Sequence, residues 1–136
     1  MTPEEAPDDA PQVLIIDDDF ELRQGIAQAL TDEGLRVATA ENGREGLEYL
    51  RHAPAPQLIL LDLMMPVMNG WQFCAFKRAD PALAPIPVVA VSAAAKLDPA
   101  SPYYIDVDGV ITKPVDVDEL MSIVWRHVSA PQPSPG

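Results

Sequence analysis

Leu58-Ile59-Leu60-Leu61-Asp62 decides the fold: four apolar residues without polar alternation, closed at once by an acid. A strand with one face in water alternates polar and apolar side chains, so an unbroken run reads as a strand buried on both faces, as in a parallel sheet covered by helices. Val13-Leu14-Ile15-Ile16, followed by Asp17-Asp18-Asp19, and Val88-Val89-Ala90-Val91, followed by Ser92, repeat the pattern. Arg36 to Thr39 and Gly109 to Thr112 are weaker runs that suit the flanks of such a sheet. Between the runs apolar residues recur at helical spacing: Leu22, Ile26 and Leu30, then Leu47 and Leu50, then Phe73 and Phe76, then Leu120, Ile123, Val124 and Val128. Asn42 with Glu45, Asn69 with Gln72 and Asp116 with Glu119 each set a cap residue three positions before a second polar acceptor, the pattern of a reciprocal helix cap. Together these predict an α/β protein with a doubly wound, five-stranded parallel sheet and helices on both faces. Between Val91 and Gly109, Pro99 and Pro102 each lack a backbone donor and obstruct the preceding turn, so the fourth covering helix is expected to be short, displaced or irregular.

Composition bounds what such a domain does. The chain has 136 residues and a net charge of −12, with apolar residues at 48%. That is one soluble globular domain. Prolines crowd both ends, so residues 1–12 and 129–136 read as disordered tails around a domain at 13–128. Four acids lie in the first tail, yet the remaining chain is still acidic, which argues against direct nucleic-acid binding because phosphate neutralisation needs surplus Lys and Arg. Apolar runs of four residues fall far short of the roughly 20 that span a bilayer, so no membrane insertion is expected. Met1 to Gln12 has no base and no apolar stretch, unlike a secretory signal, and the single Cys74 agrees with a reducing compartment. A cytoplasmic location is expected.

In a doubly wound sheet the ligand crevice lies beyond the carboxyl ends of the strands. There the sequence places Asp17 and Asp18, Asp62, Ser92, and the Lys113-Pro114 pair. Carboxylates gathered at one rim repel each other unless a cation joins them, and hard oxygen ligands of this number suit Mg²⁺. Asp19 fits better as the cap of the first helix than as a metal ligand.

Val13 to Asp19, Leu60 to Gly70, Val91-Ser92-Ala93 and Ile111-Thr112-Lys113-Pro114 resemble, in combination, the motifs of the receiver domain of two-component response regulators. That resemblance covers the whole core and implies a flavodoxin-like strand order 2-1-3-4-5. It implies that Asp62 is the phosphoacceptor. Asp17, Asp18, Asp62 and the backbone carbonyl of Met64 would hold Mg²⁺, Ser92 and Lys113 would bind the phosphoryl group, and the bond before Pro114 would be cis. The phosphodonor would be a phosphohistidine of a sensor histidine kinase or of a histidine phosphotransfer protein. With only a short tail after the core, a stand-alone receiver is expected, signalling to an unknown downstream target by protein contact. It would catalyse only its own phosphorylation and dephosphorylation.

Two rival readings share parts of this pattern. An aspartyl-nucleophile phosphohydrolase needs a second acid two residues after the nucleophile, where this chain has Met64. A receiver-like interaction module working without phosphorylation would normally have lost a site residue, and none is missing. Other conspicuous residues have ordinary explanations: His52 and His127 near helix ends, Cys74, Met65, Trp71 and Trp125 in packing. In the family it resembles, the side chains two positions after the phosphoacceptor and two after the hydroxyl residue influence how water reaches the phosphoryl group; here they are Met64 and Ala94, which cannot orient water by a hydrogen bond, so the resemblance implies slow self-dephosphorylation. Receivers commonly carry an aromatic residue three positions before the lysine, and Val110 stands there. The segment from Leu97 to Asp108, with Tyr103, Tyr104 and Ile105, then becomes the candidate moving part.

Overall fold

The computed structural model describes residues 10–93, 99–102 and 104–129. Five strands, β1 (Val13–Ile16), β2 (Val37–Ala40), β3 (Leu58–Leu61), β4 (Val88–Val91) and β5 (Gly109–Ile111), form one parallel sheet in the order β2-β1-β3-β4-β5. Helices α1 (Phe20–Asp32), α2 (Gly43–His52), α3 (Gly70–Ala79) and α4 (Val117–His127) cover it. The three apolar runs are buried at every position, as their lack of alternation requires.

Because successive strand residues point to opposite faces, each run feeds two cores. Leu14, Ile16, Ile59, Leu61 and Ala90 pack with Leu47 and Leu50 of α2 and Phe73 of α3. Val13, Ile15, Leu60 and Val91 pack on the other face with Ile26 and Leu30 of α1 and Leu120 and Val124 of α4. Phe73 is fully buried, whereas Phe76, assigned to the same apolar stripe by spacing, points outward at 53% exposure. Trp71 and Trp125 are half-buried against the cores, and Cys74 and Met65 are buried.

Asp19 caps α1, its carboxylate accepting the Leu22 N–H. Asn69 and Gln72 form the full reciprocal cap of α3. The other two differ from expectation. Asn42 caps α2, but the Glu45 carboxylate reaches the Glu41 N–H one residue further back. Asp116 caps α4 through Asp118 N–H, so the spacing to Glu119 was not the operative one.

Between β4 and β5 no helix occurs among the described residues; residues 99–102 form turns and Tyr104 makes an isolated bridge. Ile105 is buried in the core, and the Trp71 indole donates to the Tyr104 carbonyl at 3.0 Å, pinning this segment to α3. Leu97 and Tyr103, like Ala94, lie outside the described residues. So do residues 1–9 and 130–136 of the tails, whereas 10–12 and 129 are tied to the domain. Gln12 is buried and its N–H donates to Arg36 at 2.8 Å, Arg36 Nε donates to the Ala10 carbonyl, and Ser129 N–H donates to Gln57. Those bonds, one between backbones and two between side chain and backbone, join distant segments, which proline content does not reveal.

Candidate functional site

Strand register brings the acids together. β1 and β3 pair in parallel with Ile16 opposite Leu61, so Asp17 and Asp62 leave adjacent strands at the same level. The Asp62 N–H still bonds the Ile16 carbonyl at 2.8 Å, and the Asp17 N–H bonds that of Ala40. One carboxylate oxygen each of Asp17, Asp18 and Asp62 lies within 4.8 Å of the others. Asp17 and Asp62 are buried and Asp18 is exposed, so the cluster opens to solvent on one side.

Lys113 arrives from the far end of the sheet. Its Nζ stands 3.4 Å from Asp17 Oδ2 and 3.5 Å from Asp62 Oδ2. β4 and β5 pair with Val91 opposite Ile111, which sets Ser92 one residue beyond the ladder. Ser92 is buried, with its N–H on the Ile111 carbonyl. The Lys113–Pro114 bond is cis. All the site residues read from the sequence therefore lie beyond the strands' carboxyl ends.

Charge crowding shows in the Asp62 carboxyl, which is pushed up from 3.8 to about 6. Burial is the main cause and repulsion from Asp17 adds to it, while Lys113 and the Met64 N–H, 3.3 Å from Oδ1, pull the other way. The three carboxylates are hard oxygen donors with one open side, which fits a divalent cation such as Mg²⁺. Asp62 is also a carboxylate placed to act as a nucleophile at phosphorus, beside an ammonium that offsets developing charge.

Three features of the site were not read from the sequence. Arg23 Nη1 donates to the Asp17 carbonyl at 2.7 Å, a contact that no local sequence pattern announces. Val67 sits at φ 70 in the loop after Asp62, where Met68 N–H closes back onto the Pro66 carbonyl at 2.7 Å. A β-branched residue there is strained, and strain of this kind concentrates beside functional sites. Gly70 opens α3 so close to Asp62 that a Cβ would lie 2.7 Å from Leu63 Cα and 2.9 Å from the Asp62 carbonyl oxygen. His52 pairs with Glu48 on the surface of α2, and His127 lies in the last turn of α4, both away from the crevice.

Residues 13–125 match the family model of the response regulator receiver domain. The chain belongs to that family. It is 34% identical over 124 residues to the response regulator Rre1 of Synechocystis sp., covering 90% of this chain and 53% of that protein. It is 36% identical over 119 residues to the DNA-binding transcriptional regulator NtrC of Escherichia coli strain K12, covering 86% of this chain and 24% of that one. The receiver thus spans about half or less of the length of these curated relatives. Among solved structures, the chemotaxis response regulator CheY4 of Vibrio cholerae superposes with a TM-score of 0.75 at 27% identity, covering 88% of this chain and 99% of that one. The receiver domain of a signal transduction histidine kinase from Syntrophus aciditrophicus gives 0.75 at 28% identity, covering 93% and 98%. No helix among the described residues is long and apolar enough to cross a membrane.

Proposed function

We propose that this receiver domain is a phosphorylation-controlled switch whose phosphoacceptor is Asp62. A carboxylate oxygen of Asp62 attacks the phosphorus of a phosphohistidine on a sensor histidine kinase or a histidine phosphotransfer protein. The new O–P bond forms as the P–N bond breaks and the imidazole leaves. Such transfers ask the protein mainly for positioning and charge neutralisation. The observation that carries the reading is the meeting of three carboxylates within 4.8 Å with the Lys113 ammonium on two of them.

Asp17, Asp18, Asp62 and the Met64 carbonyl would hold Mg²⁺, which when bound supplies positive charge to the transferring oxygens. Lys113 pairs with the phosphoryl group and Ser92 donates to one of its oxygens. The chain acts on no external substrate: it catalyses its own phosphorylation and dephosphorylation, in the cytoplasm, and passes the signal on by protein contact.

Incubation with a small phosphodonor, with and without Mg²⁺, followed by intact mass, tests the chemistry. Stable addition of one phosphoryl group only with Mg²⁺, lost in Asp62→Asn, is expected. Turnover of the donor without a stable adduct would favour a phosphohydrolase, and no reaction would favour an interaction module.

A further inference from the structure

Arg23 contributes to the crevice without lying in it. β1 ends at Asp17, whose N–H still bonds Ala40 in β2, and its carbonyl is taken by Arg23 Nη1 at 2.7 Å. Arg23 is held from below by α1, where its own N–H makes the first helical bond to the Asp19 carbonyl at 2.9 Å. Its guanidinium carbon lies 5.5 Å from the centre of the ring of Phe20, itself an exposed residue. A guanidinium over an aromatic face is attracted to it, and a charged donor on a carbonyl makes a short, strong hydrogen bond.

The Asp17 carbonyl is part of the peptide plane that runs from Cα of Asp17 to Cα of Asp18. Fixing its oxygen fixes that plane, and with it the directions in which both side chains leave the backbone. Asp17 is then held at four points: its N–H by Ala40, its carbonyl by Arg23, Oδ1 by the Asp19 N–H at 2.9 Å and Oδ2 by Lys113 at 3.4 Å. We propose that Arg23, steadied by Phe20, is a positioning residue that presets the Asp17–Asp18 pair for a divalent cation. This rests on the reading of the acidic cluster as a metal site.

Two effects of removing Arg23 have opposite signs, so the test is sharp. Loss of a positive charge beside three carboxylates would, by Coulomb's law alone, strengthen cation binding. Loss of a partner that orients the ligands weakens it, commonly by 10-fold or more. Calorimetric titration of MgCl₂ into the full chain should give about 10-fold weaker binding for Arg23→Met, which keeps the apolar stem, than for the parent. Arg23→Lys, which keeps a charged donor, should recover most of the affinity. Circular dichroism and melting without Mg²⁺ accompany each variant. Equal or tighter binding by Arg23→Met overturns the inference, as does a loss that merely follows a smaller folded fraction. A parent that binds no Mg²⁺ overturns the metal reading and this inference with it.

Discussion

The Asp62 carboxylate lies 3.5 Å from the Lys113 ammonium and nevertheless holds its proton more tightly than a free aspartate, up to about 6. Burial and Asp17 together outweigh one lysine. Between about pH 4 and 6 the unfolded chain has released this proton while the folded chain retains it. Without metal, stability therefore falls as the pH rises through that window, and the loss persists above it.

Asp62→Asn removes both the ionisation and the nucleophile. In metal-free buffer at neutral pH it should unfold at higher temperature than the parent, by as much as about 3 kcal/mol in stability, and lose the slope between pH 4 and 6. It should take up no phosphoryl group. Thermal melts across pH, with intact mass after phosphodonor treatment, check both; a melting curve that follows the parent's pH dependence would place the titrating group elsewhere.

Gly70→Ala should lower stability by roughly 1–3 kcal/mol, the range for overpacked sites, and slow phosphorylation as well. The added Cβ meets backbone, Leu63 Cα at 2.7 Å and the Asp62 carbonyl at 2.9 Å, so the loop that carries Asp62 has to move. Denaturant titration and phosphorylation rates measure the two effects, and a variant that loses stability at an unchanged rate would show that the loop shift spares the nucleophile.

Met64→Asn should shorten the lifetime of the phosphorylated form. Met64 is 63% exposed, with its N–H on Asp62 Oδ1, so a polar side chain there has access both to solvent and to the phosphoacceptor. A thioether cannot donate a hydrogen bond to attacking water, and an amide can. Decay of the phosphorylated mass with time, compared between the two proteins, gives the answer; identical decay would exclude this position as the brake.

Residues 99–102 and 104–108 should change hydrogen-exchange protection more than any helix when a phosphoryl mimic is bound at Asp62. Its anchors among the described residues include the buried Ile105, the Trp71 bond to the Tyr104 carbonyl and the two bonds between Asp108 and Val88. A segment with no helix among its described residues shifts between dockings more readily than a packed helix. An unchanged exchange pattern there would assign the readout to another element.

Asp17, Asp62 and Ser92 were legible because each follows directly on a buried strand, and Lys113 because it comes two residues after the edge strand β5; a parallel sheet turns those sequence positions into places in space. Asp19 was legible as a cap because local spacing determines it. Arg23 was not, since its bond to Asp17 depends on how α1 leans on the end of β1, which no short-range pattern encodes. Phe76 misled because two aromatic residues three apart satisfy a helical stripe whichever of them faces the sheet. The prolines at 99 and 102 correctly warned of a disturbed helix, but the anchoring of Tyr104 to Trp71 comes from a tertiary contact 33 residues away in sequence.

The level at which Asp17 and Asp62 meet is set by counting rungs of one ladder, from Val13 opposite Leu58 to Ile16 opposite Leu61. A single-residue insertion or deletion within either run would carry one acid to the opposite side of the sheet, because side chains alternate with period two. The same change in the turn after α2 leaves the count untouched. Length variation in this molecule is thus tolerable where it is most visible, in its connections, and prohibited in eight residues that carry no chemistry of their own.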